Sequence, residues 1–417
     1  MSRFRFIHCS DLHIDSPFKN LDGVDAAMRD RLRAATQQAF ANIVTLALKE
    51  KVDAVIIAGD VFDGEDKSLQ AQFRFKRELE RLTGAGIPAF IAHGNHDPLS
   101  SWSETLNWPA GVHVFPGNAV ASIPVEREGQ VVATIYGISY AKKEVLDNLV
   151  PLFSKIDPAV PAVGVLHTNV GGDKNHDNYA PCKLEDLRGV AVDYWALGHI
   201  HAPQVLRDAH PAVVYSGNPQ ARHFKEGGEK GCYLVTLAKG QAPDIVFHAV
   251  DTVRYVRTVL DVTGCDTWNA VAAAIQDACR KQLAAIGERD LVVEWTLTGR
   301  TLRHGDLQDT KQLAELRDEV LTEFEGGAQS VWMELESNTS GYYDLDALRQ
   351  GKDFIADVIA HYDGVLDADD PGEWQKVLEP VFGERGGRLP PPDADTLKAW
   401  IAQARDVTLD HLMPDED

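Results

Sequence analysis

The first 250 residues repeat one pattern, a short apolar run that ends in a polar cluster rich in His, Asp, Asn and Gly. The runs are residues 4–7 (FRFI), 52–58 (VDAVIIA), 87–92 (IPAFIA), 131–138 (VVATIYGI), 161–166 (PAVGVL), 192–197 (VDYWAL) and 212–215 (AVVY). Their length and their Val, Ile and aromatic content predict buried strands. Between the early runs the apolar spacing becomes helical, with Phe40, Ile43, Val44 and Ala47 inside 27–49 and Phe75, Leu79 and Leu82 inside 68–83. Strands alternating with helices predict an α/β domain of layers, its sheet covered on both faces.

A second region, 253–340, reads as strand (255–263), helix (267–287), strand (291–299), helix (307–325) and strand (329–337). This is a small α/β cap without a chemical cluster of its own. From 341 to 417 the pattern turns helical, at 346–361, 373–381 and 395–412, with a linker-like GERGGRLPPPDAD stretch at 383–395 and an acidic PDED end. The pattern therefore divides the chain into 1–252, 253–340 and 341–417. No P-loop motif GxxxxGK[ST] occurs, so an ATPase activity would have to come from another chain.

Composition narrows the class. At 417 residues and 44% hydrophobic residues the chain is long enough for a sizeable core. No apolar stretch reaches 18 residues, so no membrane span is expected. The start, MSRFRFIHCSDLHID, has no long apolar segment, and a secretory leader is not expected. Five cysteines (Cys9, Cys182, Cys232, Cys265, Cys279) form no CxxC pair, which fits a reducing, cytoplasmic setting. The net charge of −22 argues against a broad basic face for duplex DNA, so a phosphate-rich substrate would be held locally, by metal ions or a small basic patch.

The chemistry lies where the runs end. Asp11 and His13 stand in SDLH, Asp60 and Asp63 in GDVFD, Asn95 and His96 in GNHD, His167 in LHTN, and His199 and His201 in GHIH. Functional residues gather outside the carboxyl ends of strands in open α/β sheets, so folding can bring these five clusters together. Imidazole favours transition metals and carboxylate or amide oxygen favours harder ions, so the mixture points to Mn, Fe or Zn rather than Ca. The i,i+2 pairs Asp11/His13 and His199/His201 would each face one way in extended backbone. Gly59, Gly94 and Gly198 precede candidate ligands where a sharp turn is needed, and Asp60 alone can bridge two ions. A solitary GD or DxH is usually a turn cap; five in this order are a metal site.

This ordered set, DxH, GDxxD, GNHD, H and GHxH, resembles the calcineurin-like metallophosphoesterases. The segments HCSDLHID, GDVFD and YSGNPQARHFKEGGEKGCYLV (215–235) are similar to bacterial DNA-repair exonucleases of the SbcD/Mre11 type, and YAPC (179–182) with the overall length to their YhaO-like branch. The resemblance covers residues 4–250 and, in layout only, the cap. It implies a layered metallophosphoesterase β-sandwich flanked by helices, with a small α/β cap and a helical C-terminal tail. It implies two divalent ions, Mn2+ first and Fe or Zn as alternatives, with Asp11, His13 and His201 on one ion, Asn95, His167 and His199 on the other, and Asp60 between them. His96 would contact the scissile phosphate and assist the leaving oxygen, oriented by Asp63.

The implied activity is phosphodiester hydrolysis in DNA, an exonuclease of repair or end processing. A separate ATPase subunit, SbcC/Rad50-like or AAA-type, would be its partner, docking on residues 341–417, and the resemblance also admits a homodimer. Two other readings keep the same residues: a small-molecule phosphodiesterase or phosphatase, which the acidic charge favours, and a metal-binding, non-catalytic scaffold. Among the remaining polar residues, Arg222, His223 and Lys225 are candidate phosphate contacts, and His176 and Asp177 read as a surface loop. His8 reads as structural, Cys9 as a buried filler, Asp97 as a turn residue or helix cap, and Asp15 is unassigned. Arg29, Arg31 and Arg33 read as a solvated helix face, Trp102 and Trp108 as anchors before base-stacking residues.

Overall fold

The computed structural model describes residues 3–16, 26–64, 68–101, 107–157, 159–172, 178–367, 378 and 392–413. They form two compact units: Met1–Val256 with Ile286–Val292 and Gln329–Trp332, and Arg257–Ala285 with Val293–Ala328 and Met333–Asp417.

The first unit runs β1 (Phe4–Cys9), α1 (Ala26–Glu50), β2 (Ala54–Ala58), α2 (Leu69–Gly84), β3 (Ala89–Ala92), β4 (Val112–Val114), β5 (Ala121–Arg127), β6 (Gln130–Gly137), β7 (Ala162–His167), α3 (Leu184–Arg188), β8 (Tyr194–Gly198), β9 (Gln204–Arg207), β10 (Ala212–Tyr215), β11 (Gly231–Leu237) and β12 (Asp244–Ala249). One six-stranded sheet has the order β12-β11-β1-β2-β3-β4, the other β5-β6-β7-β8-β10-β9. β1 to β4 run parallel, as do β6, β7, β8 and β10; antiparallel strands close three of the four edges, and parallel β4 forms the other.

The strands are apolar on both faces because both faces are covered. Phe4, Phe6, Ala54, Ile56 and Ala58 of the first sheet meet Val163, Val165, Tyr194, Ala196 and Val214 of the second in an inner layer. Ile7, Cys9, Val55 and Ile57 point the other way, onto Phe40, Ile43 and Val44 of α1 and Phe75 and Leu79 of α2. Leu166, Trp195 and Leu197 do the same behind the second sheet, against Leu187 of α3. The unit is an α/β sandwich flanked by helices. Of the unpredicted strands, β4, β5, β9 and β12 are edge strands with partly exposed side chains, so they lack the continuous apolar signal of the inner ones, whereas β11 is an inner, buried strand whose run was not counted.

The second unit holds most of a three-stranded sheet of order β13-β14-β15, built from β13 (Val253–Asp261), β14 (Asp290–Arg300) and β15 (Val331–Ser340). The helices between them are α4 (Trp268–Ile286), α5 (His304–Gln308) and α6 (Thr310–Thr322). The expected helix over 307–325 is thus split at Asp309, whose carboxylate accepts the Lys311 N–H and caps α6. The expected 346–361 helix is likewise α7 (Leu345–Arg349) and α8 (Phe354–Leu366), the latter capped by Asp353. The last helix is α9 (Ala394–Leu412). The expected helix at 373–381, most of the linker at 383–395 and the PDED end lie outside the described residues. No helix among the described residues is long and apolar enough to cross a membrane.

Candidate metal centre

Every ligand candidate sits at or just past the carboxyl end of a parallel strand. Asp11 and His13 follow β1, Asp60 follows β2, Asn95 and His96 follow β3, His167 ends β7, and His199 and His201 follow β8. The first sheet supplies three of these strand ends and the second sheet two. The loops after β1 and β2 are zipped together, Asp11 N–H donating to Gly59 C=O (2.9 Å), His13 N–H to Asp60 C=O (3.0 Å) and Ile14 N–H to Val61 C=O (2.9 Å).

The backbone there is left-handed rather than extended: φ is 51° at Asp11, 42° at His13, 51° at Asp60 and 103° at His199. Such non-glycine conformations persist only where the surroundings enforce them. This corrects the expectation from extended i,i+2 geometry. Asp11 and His13 do converge, but His199 and His201 part, His199 stacking edge-on to His167 (5.2 Å between centroids) and His201 to His13 (4.9 Å). The glycines are required by close approach. A Cβ on Gly94 would lie 2.2 Å from Asp60 Oδ1, and one on Gly198 only 1.8 Å from Ala58 O.

Among the described residues the donors form three overlapping groups, one of His13, Asp63 and His96 at the mouth and two that lie deeper. Asp11, His13 and His201 converge, His13 Nε2 and His201 Nε2 being 3.1 Å apart. Asp11, Asp60 and His167 also converge, with Asn95 Oδ1 3.0 Å from His167 Nε2. Asp60 Oδ2 reaches toward both, 3.4 Å from His167 Nε2 and 3.9 Å from His13 Nε2, while Oδ1 accepts the His96 N–H at 2.9 Å. Of the seven ligand candidates Asp11, His13, Asp60, Asn95, His167, His199 and His201, all but His201 are buried.

The donor set fits divalent cations. His167 Nδ1 bonds Ala58 C=O (3.0 Å) and His201 Nδ1 bonds Glu226 Oε1 (2.6 Å), which leaves the Nε2 lone pairs of both rings aimed into the centre. His13 Nε2 and His201 Nε2 face each other at 3.1 Å, close enough to share either a proton or a metal ion. Burial disfavours a charged His167, but Asp60 and Asp11 outweigh it and raise the ring to about 9. A position that draws a proton so strongly draws a cation for the same reason. Burial raises Asp11, against the opposing pull of His167 and His201, whereas burial, Arg222 and His201 push His13 far down, keeping the ring neutral.

His96 differs from the other histidines. Its side chain is 40% exposed at the mouth, and its Nδ1 lies 2.6 Å from Asp63 Oδ1. Burial opposes its protonation, but the Asp63 hydrogen bond and the Asp60 and Asp63 charges prevail and raise it. The expected phosphate contact Arg222 instead pairs with Asp63 Oδ2 and Glu226 Oε1, each at 3.3 Å. His223 Nε2 lies 3.6 Å from Glu226, and Lys225 is exposed.

Three contributors were not singled out in the sequence for the parts they play. Glu226 accepts from His201 Nδ1, from Asn218 Nδ2 (3.0 Å) and from the Arg222 N–H (2.9 Å). Asp97 receives the Val61 and Gly94 N–H groups (2.9 and 3.0 Å) and lies 3.1 Å from His93 Nδ1, tying the GNHD turn to the GDVFD loop. Tyr140 O–H donates to His167 C=O (2.8 Å). Only the spacing of Asp97 directly after GNH signalled anything. His8 is structural: burial lowers it to about 3, and it bonds Tyr194 Oη and Leu197 C=O. Cys9 is buried with its thiol on Ile56 C=O. Asp15 is exposed and accepts the Ser68 N–H. Arg29, Arg31 and Arg33 are exposed on α1, Arg31 paired with Asp290. Trp108 packs edge-on against Phe75; Trp102, His176 and Asp177 lie outside the described residues.

A two-sheet α/β sandwich with a histidine, carboxylate and amide cluster across its strand ends defines a metal-dependent phosphoesterase. The chain belongs to the calcineurin-like phosphoesterases, whose family model matches residues 4–203. A second model, metallophosphoesterase YhaO, middle domain, matches 255–338. The chain is similar to the uncharacterized metallophosphoesterase YhaO of Bacillus subtilis, 37% identical over 66% of this chain and 67% of that protein. It is 29% identical to the DNA double-strand break repair protein Mre11 of Sulfurisphaera tokodaii, over 59% of this chain and 62% of that one. With the SbcD component of the nuclease SbcCD of Bacillus subtilis it shares 25% identity over 56% of this chain and 66% of that protein.

Proposed function

We propose that this protein is a nuclease that hydrolyses phosphodiester bonds in DNA, an exonuclease of repair or end processing. The observation that carries the hydrolytic reading is the division of labour among the histidines. The rings of His13, His167 and His201 direct Nε2 toward the buried carboxylates, while His96 stands at the mouth with Nδ1 held by Asp63. In this reading Asp11, His13 and His201 hold one divalent ion, Asn95, His167 and His199 the other, and Asp60 serves both. Mn2+ is the first candidate, with Fe or Zn next. Bound there, two such ions supply Lewis acidity and an activated water. Their positive charge also offsets Asp11 and Asp60, so a phosphodiester is attracted despite the acidic chain.

His96 then acts on the leaving side. With Nδ1–H on Asp63, its Nε2 is left to carry the proton that the departing oxygen needs. Asp63 fixes the ring's direction and favours its charged form. The DNA substrate is supported by the similarity to proteins named as Mre11 and as part of the nuclease SbcCD. By the same similarity we infer a separate ATPase partner in a cytoplasmic complex; the helical region 341–417, which that similarity does not cover, is our candidate for its docking region.

The test is degradation of end-labelled linear duplex and single-stranded DNA with Mn2+, alongside bis-p-nitrophenyl phosphate, by wild type and His96→Ala. DNA cleavage by wild type and its loss in His96→Ala, with two ions still bound per chain, is the expected result. Turnover of the small diester alone, even with a candidate ATPase added, would replace the nuclease reading with a small-molecule phosphodiesterase.

A further inference from the structure

Arg222 and Glu226 lie on the loop between β10 and β11, which supplies none of the ligands assigned above, yet they touch both halves of the site. Glu226 is buried and its Oε1 lies 2.6 Å from His201 Nδ1. Its other oxygen accepts from Asn218 Nδ2 (3.0 Å) and the Arg222 N–H (2.9 Å), so the carboxylate has little freedom to turn. The Arg222 guanidinium, 14% exposed, donates through Nη2 to Glu226 Oε1 and through Nη1 to Asp63 Oδ2 and Ser16 Oγ, each at 3.3 Å. Lys230 Nζ donates to His201 C=O (2.8 Å), holding the same ligand from its backbone side.

We propose that Arg222 and Glu226 are positioning residues that form a clamp between the metal-binding and proton-donating halves of the centre. Glu226 fixes His201 so that Nε2 faces the ion, and Arg222 joins Glu226 to Asp63, the carboxylate that aims His96. The proposal rests on the phosphodiesterase reading for its kinetic part and stands without it for its binding part. Geometry separates it from direct phosphate recognition: both Nη atoms already face carboxylates and a hydroxyl, and a planar fork is needed to span two carboxylates. A lysine, with one point charge, reaches one of them only.

Three variants decide it, each first checked for folding by circular dichroism. Titration calorimetry of Mn2+ into Glu226→Gln is expected to show binding weakened at least tenfold, the usual scale for losing the partner of a ligating imidazole. Unchanged affinity overturns the Glu226 half of the clamp, and this measurement holds even if wild type proves inactive on every phosphodiester, an outcome that would sink the phosphodiesterase reading alone. Arg222→Gln is expected to keep two Mn2+ per chain and to lower kcat on bis-p-nitrophenyl phosphate at least tenfold, with KM within about threefold. Arg222→Lys should rescue little. A raised KM with kcat preserved, restored by Lys, would make Arg222 a substrate contact and overturn the proposal. As a check against nonspecific destabilisation, Arg222→Gln should have little further effect in an Asp63→Asn background; multiplicative losses would show that the two residues act independently.

Discussion

A single methyl group tests how tightly the centre is built. Gly198 lies where β8 crosses beside β2, and a Cβ there would meet Ala58 O at 1.8 Å and His167 Nδ1 at 2.9 Å. Gly198→Ala must push two strand ends apart, at a cost of about 1–3 kcal/mol, and should weaken Mn2+ binding in the same variant. Gly84→Ala is the control, since its Cβ would meet nothing within 4 Å and its φ is ordinary; it should leave the melting temperature level or slightly raised. A Gly198→Ala protein that melts and binds Mn2+ like wild type would refute the close-packing account. The ligand candidates were legible in the sequence because each follows an apolar run directly, so that strand ends could be counted off without coordinates. Glu226 was not, because its partner His201 is 25 residues away across two strands, and a lone Glu in a Gly-rich loop reads as solvated. The backbone twist that turns His199 away from His201 and against the His167 ring was also hidden, since left-handed conformations at histidine leave no mark in composition.

At the scale of elements, one carboxylate gathers the far ends of several strands. Asp193, fully buried just before β8, accepts the Ala162 N–H that starts β7 (2.8 Å) and the Gly240 N–H after β11 (2.9 Å). It also meets Lys239 Nζ and His210 Nε2, each at 2.9 Å. Burial works against its ionisation, but these donors outweigh burial and hold it below the usual carboxylate range. A depressed folded-state value adds stability that is complete above the unfolded carboxylate's pKa, about 4, and is lost as pH falls through the folded one. Asp193→Asn should therefore lower unfolding stability by about 2 kcal/mol at pH 7, and the gap to wild type should close as pH drops below 4. Urea unfolding at pH 7 and pH 3 measures both; a gap that stays constant with pH would exclude the charged form as the source. The inner strands other than β11 were legible from their unbroken apolar runs, and the edge strands were not. β5, for example, alternates and carries Pro124, which only an edge position tolerates.

For the whole first unit, the centre is a stabilising element as well as a reactive one. Asp11 and Asp60 are both buried beside one another's ligands, so bound cations favour the folded chain by mass action. At a free Mn2+ concentration one hundred times the dissociation constant the gain is about 2.7 kcal/mol, or roughly 5–10 °C in a unit of this size. Chelation should lower the melting temperature by about that amount and added Mn2+ should restore it, whereas Asp60→Ala should melt alike with and without the ion. A wild-type melting temperature indifferent to both treatments would deny that ions bind here.

The two deeper groups of donors each draw on both sheets: Asp11 and His13 from beyond β1 need His201 from beyond β8, and Asp60 and Asn95 from beyond β2 and β3 need His167 from β7. Neither of these two groups is complete on one sheet. During synthesis the pocket cannot exist until some two hundred residues have emerged and the halves have docked. Ion uptake is then a late event in maturation, and stopped-flow refolding with a paramagnetic ion would time the docking of the sandwich directly.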